Sequence, residues 1–124
     1  MNIEQFRDKL SSALPVGKEL DNPGGGISTI KPVANDKLRY QRGASTITVR
    51  LTDLFVAYSK FTGQSVSCSD LKIFQPSVFD SNARPSGHSC NCTIFFLALK
   101  EMGVIKKIQG AGVRGDPYYT NIAK

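Results

Sequence analysis

Between His88 and Cys92 the chain reads His-Ser-Cys-Asn-Cys, which sets its only histidine beside two of its three cysteines. With Cys68 folded in, His88, Cys90, Cys92 and Cys68 would make the soft ligand set that zinc takes. The spacing argues against it: zinc knuckles use wider Cys-x₂₋₄-Cys pairs, and here one residue separates Cys90 from Cys92. The alternative is a helix entrance at which Gly87 turns the chain, His88 caps or hydrogen-bonds, and Cys90 or Cys92 is buried as a small apolar residue. A cysteine–histidine nucleophile needs pairing in space, which adjacency along the chain does not provide. An odd number of cysteines, two of them nearly adjacent, is a poor disulfide framework, so reduced thiols are expected.

Two other stretches suit phosphate. Gln109-Gly110-Ala111-Gly112-Val113-Arg114-Gly115-Asp116-Pro117 joins three glycines to an arginine, so backbone N–H groups could approach a phosphate that Arg114 grips in bidentate fashion. A hairpin tip needs glycine in any case, and no Gly-Lys-Ser/Thr follows to make this a P-loop. Tyr40-Gln41-Arg42-Gly43-Ala44-Ser45 places Arg42 and Ser45 around a glycine, with Arg39 and Arg50 close by and Tyr40 able to stack. Its bland counterpart is a solvated hairpin face.

The ten acidic residues are scattered singly, so the carboxylate cluster of a metal-dependent nuclease is missing even around Asp80 and His88. We expect no enzyme and no cofactor. A net charge of +6 favours a polyanionic partner, and its distribution is uneven. Lys31, Lys37, Arg39, Arg42 and Arg50 face Asp36 alone in residues 31–50, whereas residues 1–30 are nearly balanced. The longest apolar run, Ile94 to Leu99, is six residues, against roughly 20 for a membrane span. The first ten residues mix charges through their apolar positions, unlike a secretion signal, so a cytoplasmic protein without a membrane contact is expected.

The elements that would position these residues follow from periodicity. Ile3, Phe6, Leu10 and Leu14 lie on one stripe of an amphipathic helix over Asn2 to Leu14, ended by Pro15. Asp21 to Gly26 is a turn-rich loop. Ile27, Thr29 and Val33 suggest a strand, Asn35-Asp36 a turn, Leu38 and Tyr40 the return, and Thr46 to Leu51 a further strand of clean alternation. Thr52 is the expected N-cap of a helix over 52–62, with Leu51, Leu54, Phe55, Tyr58 and Phe61 apolar and Gly63 as its stop. Ser67 and Asp70 have capping-box spacing for a short helix over 68–75, ended by Pro76, after which Val78 and Phe79 plug the core. Asn91 is the expected N-cap of a helix over 91–102 that buries Phe95, Ala98, Leu99 and Met102 and stops at Gly103. A hairpin over 104–122 follows.

That order of helix, short helix, helix and hairpin, preceded by strands, resembles the winged helix-turn-helix family of DNA-binding domains over roughly residues 47–123. The expected fold is α+β: one domain over 1–124, with a winged-helix-like three-helix core and a C-terminal β-hairpin wing. Residues 1–26 add an N-terminal helix and glycine-rich loop, and a β-hairpin from residue 27 precedes the core. The resemblance implies that the third helix contacts DNA through Asn91, Thr93 and Lys100 and that the wing adds Lys106, Lys107, Arg114 and Tyr118. With Arg39, Arg42 and Arg50 of the first hairpin, these define a non-enzymatic nucleic-acid-binding surface, with double-stranded DNA as the expected partner. The long connection from Gln75 to Cys90 departs from the tight turn typical of the family. The third helix would also show Phe96 and Leu97 on its outward face with Thr93 and Lys100. Apolar residues suit packing better than base readout, so the alternative is an interaction module that dimerises or takes a protein partner through Phe96 and Leu97.

Overall fold

A computed structural model describes residues 1–32 and 35–124; Val33, assigned above to the first strand, lies outside them. The fold is α+β. Helix α1 (Ile3–Ala13) leads into strands β1 (Glu19–Asp21), β2 (Ile27–Lys31), β3 (Lys37–Arg42) and β4 (Ser45–Arg50). Then come α2 (Leu51–Phe61), β5 (Ser65–Ser67), α3 (Cys68–Phe74), α4 (Pro76–Phe79), α5 (Cys90–Glu101) and β6 (Tyr119–Asn121). Strands β1 to β4 form an antiparallel meander in sequence order, and β5 pairs antiparallel with β6. One apolar cluster runs from Phe6 to Ile122 and draws on every one of these elements except β6, whose neighbours Tyr118 and Ile122 join it instead. No helix among the described residues is long and apolar enough to cross a membrane.

Local signals build the short helices. Asn2 and Gln5 form a reciprocal capping box on α1, whose Phe6 and Leu10 are buried, and Ser67 and Asp70 form another on α3. Pro76 does not simply end α3. It takes the first position of α4, where its missing N–H costs nothing, and α4 carries Val78 and Phe79 into the core.

Helix α2 begins one residue before Thr52, and its cap comes from a distant turn. Asp36 accepts from the Thr52 N–H at 3.2 Å and from the Thr52 hydroxyl, while Arg7 of α1 donates to it through Nε at 3.1 Å and a terminal nitrogen at 2.9 Å. Arg50 adds an ion pair at 3.6 Å. One carboxylate thus joins α1, the β2–β3 turn and α2. Burial raises the Asp36 pKa, but the hydrogen bonds from Thr52 and Arg7 and the Arg7 charge outweigh it and hold the group below its usual range.

The largest departure from expectation is α5. Every residue from Asn91 to Leu99 is buried. Buried on all sides along that stretch, the helix is a central one, with α1, α3 and α4 packed on it and the inner side of the sheet in the same core. Phe96 is 0% and Leu97 6% exposed, which removes both as a dimer or partner surface. The hairpin expected over 104–122 is also different. Only Tyr119–Asn121 is a strand, and it pairs with β5; the two limbs meet at isolated bridges, Gln109 with Tyr119 and Val113 with Asp116.

Because the lowered carboxyl of Asp36 stabilises the fold only while ionised, that contribution is complete above the unfolded-state value of about 4 and is lost as the pH falls through the native value. Denaturant unfolding across a pH series should show Asp36→Ala less stable than wild type by roughly 1–3 kcal/mol at neutral pH, with the gap closing in acid. A constant gap at every pH would remove the carboxylate's charge from the account.

Candidate nucleic-acid interface

Strand parity divides the basic residues of the sheet. Leu38 and Tyr40 of β3 are buried, so Lys37 and Arg39 project from the other side, where register aligns Lys31 with Arg39 and Lys37 with Arg50. Arg42 follows Tyr40 by two and shares its side. It sits past the end of the core, beside the first turn of α5.

There it lines a cleft of about 530 Å³ with Lys72 and Ser69 of α3, Ser89, Cys90, Cys92 and Thr93 at the start of α5, and Gly112, Arg114 and Tyr118 of the glycine-rich loop. Arg42, Lys72 and Arg114 make no ion pair with any carboxylate among the described residues. Three uncompensated cations therefore face one opening. In a concave site of lowered dielectric such charges reinforce one another's field on an approaching anion.

Hydrogen bonds fix the walls. The Tyr40 hydroxyl donates to Asn91 Oδ1 at 2.7 Å, and Asn91 Nδ2 donates to the Val78 carbonyl at 2.8 Å. This buried strut ties β3 to the first turn of α5 and α5 to α4. Burial, with a smaller push from Cys90 and Cys92, drives the Tyr40 hydroxyl far above its ordinary pKa against the pull of Arg42, so it remains a donor. On the opposite wall, the Cys68 N–H donates to the Tyr118 carbonyl at 2.9 Å, extending the β5–β6 ladder to the start of α3. The Tyr118 ring lies where a side chain on Gly112 would be: a Cβ there would fall 2.2 Å from the ring, and Gly112 has φ +72. Glycine at that position lets the loop close over the tyrosine.

The loop's backbone is not a phosphate cradle. Ala111 N–H donates to Asp116 Oδ2 at 3.1 Å, and the N–H groups of Gly112 and Val113 donate to the Asp116 carbonyl at 2.9 and 3.1 Å. Asp116 closes the tip on itself, leaving Arg114 as the loop's charged group in the cleft.

Of the expected contact residues, the cleft gathers Arg42, Thr93, Arg114 and Tyr118. Asn91 is 1% exposed and spent on the strut, so it neither caps α5 nor reads a base. Arg39 and Arg50 lie on the outer side of the sheet, and Arg50 is drawn to Asp36. Lys100 sits near the far end of α5 from the cleft, and Lys106 and Lys107 line a separate groove with Gln109, Thr120 and Asn121. Lys72 and Ser69 were missed. The only signal for them was their place in the capped turn of α3, which says nothing about what that turn faces.

No group of three or more histidine, cysteine or acidic side chains among the described residues is placed to hold a metal ion. His88 is exposed, while Cys68 and Cys92 are buried, so the zinc set of His88, Cys68, Cys90 and Cys92 is not assembled. The chain matches no model of a protein family, no curated protein and no solved structure.

Tyr40→Phe strands a buried carbonyl oxygen of Asn91 and should cost roughly 1–3 kcal/mol in denaturant unfolding. Gly112→Ala forces a left-handed alanine against the Tyr118 ring and should cost about 1 kcal/mol or more while shifting the amide resonances of Tyr118 and its neighbours. No cost at Tyr40, or unmoved Tyr118 resonances in the Gly112 variant, would reverse the roles given to strut and loop.

Proposed function

We propose that this chain is a non-enzymatic nucleic-acid-binding protein that holds the phosphate backbone of duplex DNA at the cleft of Arg42, Lys72 and Arg114. The observation that carries this reading is the convergence of those three cations, without carboxylate partners among the described residues, on one opening. The net charge of +6 adds a long-range attraction of the same sign. A winged-helix arrangement is part of the proposal. The order α2, β5, α3, the short α4, α5, loop, β6, with β5 paired to β6, supports it, and the 109–117 loop then takes the place of the wing.

The mechanism differs from reading by a recognition helix. With α5 enclosed, its side chains cannot enter the major groove, and affinity comes from charge neutralisation and release of counterions. Ser69, Ser89 and Tyr118 supply hydroxyls at the same opening to orient a phosphate oxygen. Contacts to phosphate carry register and little sequence information, so weak sequence preference is part of the reading. A cytoplasmic setting fits the three free thiols.

Fluorescence anisotropy against random duplex, single-stranded DNA and RNA over a salt series tests this. Duplex should bind best, with affinity falling steeply as salt rises, and Arg42→Ala, Lys72→Ala and Arg114→Ala should each flatten the salt slope by about one unit. The pair Lys106→Ala and Lys107→Ala, in the other groove, should leave the slope near wild type. No binding at low salt would overturn the reading, and tighter binding of a single strand would overturn its duplex part.

A further inference from the structure

All three cysteines line the cleft, although they come from two helices that are distant in sequence. Cys68 opens α3 and Cys92 lies in the first turn of α5. The Cys92 thiol donates to the Cys68 carbonyl at 3.9 Å and to that of Phe79 at 3.8 Å, which sets it beside Cys68. Cys90 is half-buried. Two residues from Cys92 on a helix, it points to a different side, so it cannot pair with its near neighbour.

We infer that Cys68 and Cys92 form a redox-active dithiol, a modification site at which a hydroperoxide converts two thiols into a disulfide joining α3 to α5. This inference is independent of what occupies the cleft. Cys68 is the attacking sulfur: it is 8% exposed on the cleft wall, and the neighbouring Cys92 thiol, with help from Lys72, lowers its pKa against the effect of burial. Cys92 is 1% exposed, and its contact with Cys68 and its burial keep it protonated.

In the first step the Cys68 thiolate attacks one peroxide oxygen and the O–O bond breaks. The departing hydroxide, or alkoxide, takes a proton from water, leaving a sulfenic acid on Cys68. In the second step the Cys92 sulfur attacks the Cys68 sulfur and the S–O bond breaks. The leaving hydroxide takes the Cys92 proton and departs as water. Each sulfur has given up one electron, and the peroxide has been reduced by two.

The test is brief exposure of the reduced full chain to hydrogen peroxide, followed by alkylation, intact mass and peptide mapping. The expected product is a monomer lighter by two hydrogens with one alkylatable thiol, at Cys90, restored to three thiols by dithiothreitol. Cys90→Ser should keep the internal link, and Cys68→Ser and Cys92→Ser should each abolish it. Three thiols surviving conditions that oxidise a free-cysteine peptide would overturn the inference. So would a dimer joined through Cys90, or sulfinic acid on Cys68 without a link. The wild-type measurement stands even where a serine variant folds poorly.

Discussion

The pair of hydrogen bonds that Asn91 makes inside the core is the constraint around which the rest is arranged. An asparagine amide at 1% exposure is costly unless its oxygen and nitrogen are both engaged, and here the oxygen takes Tyr40 and the nitrogen gives to Val78. The first partner belongs to the sheet and the second to α4, so satisfying one side chain fixes three elements against one another. Apolar packing alone, such as that of Phe95 against Phe79 of α4, would allow α5 to slide or rotate. The directional bonds remove that freedom. They act at the end of α5 that lines the cleft, so the rigidity falls where Thr93, Cys90 and Cys92 are placed.

Enclosing α5 has a consequence for where charge can lie. Once the sheet and α1 cover this helix, positive charge must sit on the sheet's outer side, on loops, or at the open end beyond the core. The first group faces away from the cleft, with Glu19 and Asp21 on the same face, and Arg50 is partly neutralised by Asp36. The last group, Arg42, Lys72 and Arg114, comes from three separate segments and meets no carboxylate among the described residues. Like charges held together without compensation cost stability through mutual repulsion. An anionic ligand would relieve that repulsion, which is why their arrangement weighs more than the net charge.

Local order was legible in the sequence, and long-range order was not. The capping box at Ser67, the apolar stripes of α1 and α2, and the stop at Gly103 all rest on residues within a turn of one another. Asn91 shows the limit: asparagine before an apolar run is a good cap, yet its partners lie 51 and 13 residues away, where no spacing rule reaches. Asp36 capping α2 fails for the same reason. The short strands β1, β5 and β6 have too few residues to show alternation and exist because of their partners. Arg39 and Arg42 looked like one basic cluster by nearness in sequence. Strand parity sends them to opposite sides, and an odd separation would have revealed this once β3 was placed in register.

The glycine-rich loop shows how one composition can serve two designs. Glycines beside an arginine suggest amides held open for an anion, but here Asp116 consumes those of Ala111, Gly112 and Val113, and the close approach that glycine permits is to the Tyr118 ring. The loop is thereby tightened onto β6 and, through the bond between Cys68 and Tyr118, onto α3. Arg114 is carried on a closed tip instead of a flexible one. A cation on a closed tip loses less conformational freedom when it meets a phosphate, so the internal acid strengthens the loop as a support even though it withdraws the backbone from direct contact.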